Sequence, residues 1–242
     1  MRTEFKIINF WWCHLVMRLA VIGGGFVKHF DNFHINKRIV ELVGKVNPKV
    51  LFIPTASNDD EGYIKEFIDT FEKQLSCQVE VLRCINENPN EGQIIELFRS
   101  SNLIYLGGGN YVNMMKHWKK YKIDHKLEEA LNSGTLIAGI SAGAICWFKS
   151  GIRSNYEGEG YIESSGWQII NKIFCPHYNQ RDRAKALHSI LLNRNRTEDT
   201  IALEDDSALY FTDNTTELIG DPSKAWLLQV KENKLVKQKF NA

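Results

Sequence analysis

The pattern of apolar runs along this 242-residue chain predicts an α/β fold, a three-layer arrangement with an open, mostly parallel sheet between helices. Two observations predict it. Short apolar runs alternate with longer amphipathic stretches through the first half, and glycine clusters directly follow three of those runs. Strands covered on both faces read as continuous apolar runs. Leu19 to Ile22, Val50 to Ile53, Val79 to Leu82, Leu103 to Leu106 and Leu136 to Ile140 have that character. Helical stretches at Asn36 to Val46, Gly62 to Leu75, Gly92 to Ser100 and Asp124 to Asn132 separate them. Right-handed crossovers place these helices on both faces and gather the loops after the strands at one edge, where ligands bind in such sheets.

Beyond Ser150 the alternation weakens. The chain there reads as a loop, a helix at Arg181 to Asn193, and short strands near Ile201, Leu209, Leu218 and Trp226 separated by turn residues such as Gly220-Asp221-Pro222. A short antiparallel C-terminal edge is the expected arrangement.

Composition narrows the function. The net charge is +1, with Lys and Arg scattered among Asp and Glu, so no basic face marks nucleic acid as a partner. The apolar segment Ile7 to Met17 is too short to span a bilayer, lacks a small-residue cleavage site, and runs straight into the first strand. Residues 1–16 are therefore expected to be an extension ahead of a start at Met17, of unknown role, followed by a single α/β domain over 17–242, with no membrane association. The cysteines Cys13, Cys77, Cys84, Cys146 and Cys175 show no C-x-x-C spacing and no nearby His pair. They read as reduced thiols of a cytoplasmic protein, with neither a disulfide framework nor a metal site.

The glycine clusters differ in meaning. Gly23-Gly24-Gly25 follows a strand, but Lys28 stands where G-x-G-x-x-G needs its last glycine, so a tight strand exit with close backbone approach is preferred to a dinucleotide site. Gly139-Ile140-Ser141-Ala142-Gly143 satisfies G-x-S-x-G, where a sharp strand-to-helix turn lifts a nucleophilic hydroxyl above the sheet. The run Leu136 to Ile140 before it and a buried helix expected over Ala142 to Phe148 supply the context. A serine at this position can instead only cap the helix.

A serine hydroxyl needs a base, and the base an orienting partner. Among the seven histidines, His14, His29, His34, His117, His125 and His188 lie in helical or mixed surface contexts. His177 follows the apolar Ile173-Phe174 in Cys175-Pro176-His177-Tyr178-Asn179, a strand end whose proline stiffens the turn toward the site edge. Glu204, closing Thr200-Ile201-Ala202-Leu203, is the acid expected to complete the set, with Asp205 and Asp206 directly after it.

With these residues and Tyr105-Leu106-Gly107-Gly108-Gly109-Asn110, the chain from Met17 to Leu228 resembles the peptidase E family of serine exopeptidases, peptidase family S51. The resemblance implies a flavodoxin-like sheet of the class I glutamine amidotransferase type, with serine where the amidotransferases carry cysteine. It implies Ser141 as nucleophile, His177 as general base and Glu204 as the group orienting it. It further implies an oxyanion hole from the N–H groups of Gly109 and Ala142, with Gly108 and Asn110 lining the pocket, a small peptide as substrate, and no cofactor. The aspartyl dipeptidases of that family hold their substrate with an arginine downstream of the histidine. Here Gln180 aligns with it, and only a shift in register brings Arg181 or Arg183 there, flanking Asp182, so strict Asp-X specificity is not expected.

Other readings fit less well. An α/β-hydrolase esterase needs the order serine, acid, histidine, and no histidine lies beyond His188. Cyanophycinase-like hydrolysis belongs to generally longer chains, and a catalytically silent amidotransferase-like binding domain would be free to lose the triad residue types. The sequence leaves monomer and homodimer equally open.

Overall fold

The computed structural model describes residues 17–25, 32–193 and 198–241. The proposed N-terminal extension, Cys13, His14, Lys28 and His29 lie outside the described residues.

Strand β1 (Leu19–Ile22) opens a seven-stranded sheet. It pairs in parallel with β5 (Leu136–Ile140), which continues through β4 (Leu103–Leu106), β2 (Lys49–Ile53) and β3 (Gln78–Val81). On the other side of β1, β10 (Ser207–Phe211) and β11 (Thr216–Gly220) add an antiparallel edge. The central strands are buried on both faces, and their side chains divide by parity: Ala20 and Ile22 enter one core, Leu19 and Val21 the other.

The first core lies under α1 (Phe33–Val43) and α2 (Glu61–Ile68), the latter running on into a π-helical turn over Asp69–Gln74. Phe67 is its centre, stacked 3.9 Å from Phe52 and 4.0 Å from Phe71. The opposite core is closed by α3 (Glu91–Ser100), α4 (Tyr111–Tyr121) and α5 (Ile123–Asn132). Helix α3 starts with a capping box, Asn90 accepting from Gln93 N–H and Gln93 returning a bond to Asn90 N–H, each at 2.9 Å.

The region beyond Ser141 departs most from expectation. The helix expected over Ala142 to Phe148 is only α6 (Ala142–Ile145), and the chain then enters β6 (Phe148–Ser154), β7 (Tyr161–Ser165) and β8 (Ile170–Cys175) where a loop was expected. With β9 (Thr200–Leu203), β12 (Ala225–Lys231) and β13 (Lys234–Lys239) they form a second sheet in the order β13-β12-β9-β8-β6-β7. One face of it packs on the first sheet through Phe148, Phe174, Ile201 and Leu203. The other is covered by α7 (Arg181–Asn193) through Leu187 and Leu191. The C-terminal strands are thus shared out: β10 and β11 extend the first sheet, while β9 and β12 belong to the second.

Cys77, Cys84, Cys146 and Cys175 are free and buried. Burial pushes the Cys84 thiol up to about 12, which leaves it an inert packing group.

Phe67→Ala removes a side chain stacked between two rings, and should lower stability by about 3–5 kcal/mol in equilibrium denaturation, with the transition staying cooperative.

Candidate active site

The exits of β1, β4, β5, β8 and β9 meet at one edge. Ser141 follows β5 with φ 52° and ψ −109°, a conformation costly for a residue with a Cβ. Two flanking contacts make the elbow possible. A Cβ on Gly139 would lie 2.1 Å from the Gly143 carbonyl oxygen, and one on Gly143 would lie 2.5 Å from that of Leu106. The Ser141 N–H donates to Ile22 O at 3.1 Å, which ties the elbow to β1, and its carbonyl accepts from Ala144 N–H at 3.0 Å.

His177 follows β8 and is also left-handed, with φ 50°. Its N–H donates to Gly23 O at 3.0 Å and its carbonyl accepts from Gln180 N–H at 2.9 Å. The imidazole Nε2 is 2.9 Å from Ser141 Oγ, and Nδ1 is 2.6 Å from Asp205 Oδ1. Asp205, when ionised, only accepts, so Nδ1 carries the proton and Nε2 is left to accept the serine O–H. Burial pushes the Asp205 carboxyl up, yet hydrogen bonds from His177 and Asn179 and the nearby Arg183 charge outweigh it, and the net shift is below the ordinary carboxylate value.

The expectation for Glu204 is corrected here. Its Oε1 accepts the indole N–H of Trp226 at 2.8 Å, on the side of β12, while the next residue turns back toward His177. Consecutive side chains at the end of β9 leave in opposite directions, and Asp206, with φ 66°, reverses the chain into β10. The acid facing the imidazole is therefore Asp205.

Gly24 explains how the pair fits. A Cβ there would fall 2.0 Å from Asp205 Oδ1 and 2.2 Å from His177 Nδ1. The triplet after β1 is a close-approach strand exit, as the sequence suggested, and what approaches it is the His177–Asp205 pair.

The second glycine turn lies against the serine. Ser141 Cβ and Ile140 O are both 3.4 Å from the place a Gly108 Cβ would occupy, and Gly109 has φ 139° with Ala56 O 2.1 Å from where its Cβ would be. The Tyr63 phenol, raised to about 12 by burial, takes a backbone hydrogen bond from Gly108. The Gly109 carbonyl accepts the Tyr156 O–H at 2.9 Å, from the turn between β6 and β7. Asn110 is engaged as the cap of α4, its Oδ1 accepting Asn113 N–H at 3.0 Å and its N–H donating to Ala56 O at 2.7 Å. The helix behind this cap went unpredicted, although Tyr111, Met114 and Trp118 carry its buried stripe.

The two arginines separate. Arg181 is exposed at the start of α7. Arg183 is buried, with Nε donating to Gln180 Oε1 at 3.1 Å, Nη1 to Ile152 O at 3.0 Å, and its guanidinium 4.5 Å over the Tyr161 ring. Asp182 pairs with Lys185 at 3.4 Å and with neither arginine.

A serine, histidine and carboxylate in hydrogen-bonded series at the edge of an α/β sheet define the class of a hydrolase. The model of peptidase family S51 matches residues 19–219, and the chain belongs to that family. It is 33% identical over 221 residues to the uncharacterized peptidase YgaJ of Bacillus subtilis (strain 168), covering 90% of this chain and 94% of that one. Among solved structures it resembles a peptidase from an acI-B1 Actinobacterium, with TM-score 0.68, 21% identity, and coverage of 93% and 95% of the two chains. It also resembles a Listeria monocytogenes EGD-e protein named for peptidase E, with TM-score 0.62, 19% identity, and coverage of 85% and 99%. Among the described residues no helix is long and apolar enough to cross a membrane.

Gly24→Ala should leave the fold in place while forcing His177 and Asp205 apart. Displacing reacting groups by an ångström costs on the order of 10²-fold in rate, so peptidase turnover should fall by that much with the melting temperature little changed. Wild-type turnover in this variant would show that the pair tolerates the added methyl.

Proposed function

We propose that this peptidase is a serine exopeptidase that hydrolyses short peptides through an acyl-enzyme on Ser141, with His177 as base and Asp205, in place of Glu204, as the orienting acid. The observation that carries the reading is the continuous series Ser141 Oγ, His177 Nε2, His177 Nδ1, Asp205 Oδ1, with contacts of 2.9 and 2.6 Å. His177 takes the serine proton as Oγ adds to the peptide carbonyl, then gives it to the leaving amine as the tetrahedral intermediate collapses. Water deacylates the serine by the same route in reverse.

The developing oxyanion needs donors. Ala142 N–H is at the first turn of α6, where N–H groups lack intrahelical acceptors. In the glycine turn, Gly108 is engaged with Tyr63, which favours Gly109 N–H as the second donor. Each such donor contributes about 3 kcal/mol to transition-state stabilisation.

The substrate reading follows from charge. Gln180, at the position aligned with the family's substrate arginine, is a neutral amide whose Oε1 already accepts from Tyr161 at 3.2 Å and from Arg183 at 3.1 Å. Arg183 is spent on internal contacts and Arg181 stands exposed at the start of α7, so at the aligned position itself a neutral amide takes the place of the selecting guanidinium. The enzyme would act within one α/β domain over 17–242 in the cytoplasm, without a cofactor.

Ser141→Ala should abolish hydrolysis. Asp205→Asn should lower kcat by up to about 10⁴-fold, the cost of the wrong imidazole tautomer, while Glu204→Gln stays within about tenfold of wild type. The reverse ranking of the two acids would overturn the assignment. In a panel of dipeptides and aminoacyl p-nitroanilides, Asp-X should be cut no more than about tenfold faster than Ala-X, a gap of about 1.4 kcal/mol. A preference for Asp-X of several hundredfold would mean that a cation does reach the substrate.

A further inference from the structure

The triad leaves one close neighbour without a role. Asn179 stands two residues after His177 in the turn between β8 and α7. Its Nδ2–H donates to Asp205 Oδ2 at 3.0 Å, and its Oδ1 accepts the backbone N–H of Asp205 at 3.2 Å. The amide thus holds the acid at both its carboxylate and its main chain. The carboxylate's terminal torsion is soft, so a single bond to His177 would leave its plane free to rock. Two donors, one on each oxygen, fix that plane, and both come from the same short turn.

We propose that Asn179 is a positioning residue: it sets the plane of the Asp205 carboxylate so that Oδ1 receives His177 Nδ1–H and the imidazole stays aimed at Ser141 Oγ. The inference rests on the peptidase reading of Ser141, His177 and Asp205 given above. A neutral amide suits the position. It donates to the carboxylate without drawing the anion away from the histidine as a cationic donor would.

The surrounding charges are few. Among the described residues, Asp205 faces His177, Asn179, the Arg183 charge and the backbone of Gly24. Its neighbours are turned elsewhere, Glu204 to Trp226 and Asp206 to His34 and Lys224. His177 faces Asp205, Ser141 and Gly24. A charge introduced at position 179 therefore acts directly on this pair. Asn179 is exposed, so its replacement leaves the core intact.

The test compares Asn179→Ala, Asn179→Asp and Ser141→Ala on the best peptide of the panel, across pH. Asn179→Ala should lower kcat about tenfold with KM within about twofold, the sign of an interaction that matters in the transition state. Asn179→Asp keeps the shape and the Oδ1 acceptor but adds a carboxylate that favours the imidazolium, so the acidic limb of kcat/KM should move to higher pH. Wild-type kcat in Asn179→Ala, or an acidic limb that does not move in Asn179→Asp, overturns the proposal. Ser141→Ala separates the two levels. If it is inactive while both Asn179 variants behave as wild type, only the role of Asn179 fails; if it is fully active, the peptidase reading fails with it.

Discussion

The contact between His177 and Asp205 at 2.6 Å is possible only because Gly24, in the exit from β1, has no side chain. The two groups come from different connections, His177 from the turn after β8 and Asp205 from the crossing between β9 and β10. That crossing is where the chain leaves the second sheet for the first, and Gly23 and Gly24 lie under both turns. His177 N–H bonds to Gly23 O at 3.0 Å, and a Cβ on Gly23 would fall 2.3 Å from Glu204 O. The packing of the sheets on one another and the assembly of the site are therefore one constraint. Any change that separates the sheets at this edge also separates the imidazole from its acid.

Two strained backbone positions stand at the same edge. Ser141 and His177 both hold left-handed φ values, 52° and 50°, which cost about 1–3 kcal/mol each. Each is held from both sides by main-chain bonds, Ser141 to Ile22 and α6, His177 to Gly23 and Gln180. The conformations are over-determined by their surroundings, and they turn both side chains toward a common point above β5.

What the sequence makes legible follows from burial. The central strands of the first sheet are covered on both faces and so appear as unbroken apolar runs, and the elbow announces itself because its small residues are sterically required. Strands β6 and β7 of the second sheet are hidden because they are partly exposed. Phe148-Lys149-Ser150-Gly151-Ile152-Arg153-Ser154 and Tyr161-Ile162-Glu163-Ser164-Ser165 mix small, polar and charged residues that also suit a loop. The acid could not be chosen among Glu204, Asp205 and Asp206 by spacing. The choice is made by the reversal at Asp206 and by the Trp226 indole drawing Glu204 to the other side, both tertiary features. Asn179 was likewise invisible, since its value depends on a partner 26 positions away.

The division between the sheets carries a consequence for how the site can vary. The groups proposed to meet the substrate carbonyl, Ser141, Ala142 and Gly109, belong to exits of the first sheet, whereas the imidazole, Tyr156, Tyr161 and Arg183 come from the second or its covering helix. Tyr156 bridges them, its hydroxyl bonded at 2.9 Å to the carbonyl of Gly109. The turn between β6 and β7 is exposed and packs little of the core, so it can change length and charge without disturbing the elbow or the glycine turns. The serine and the proposed oxyanion donors are thus held by the first sheet and the imidazole by the second, and the two meet at one tyrosine hydroxyl and one histidine.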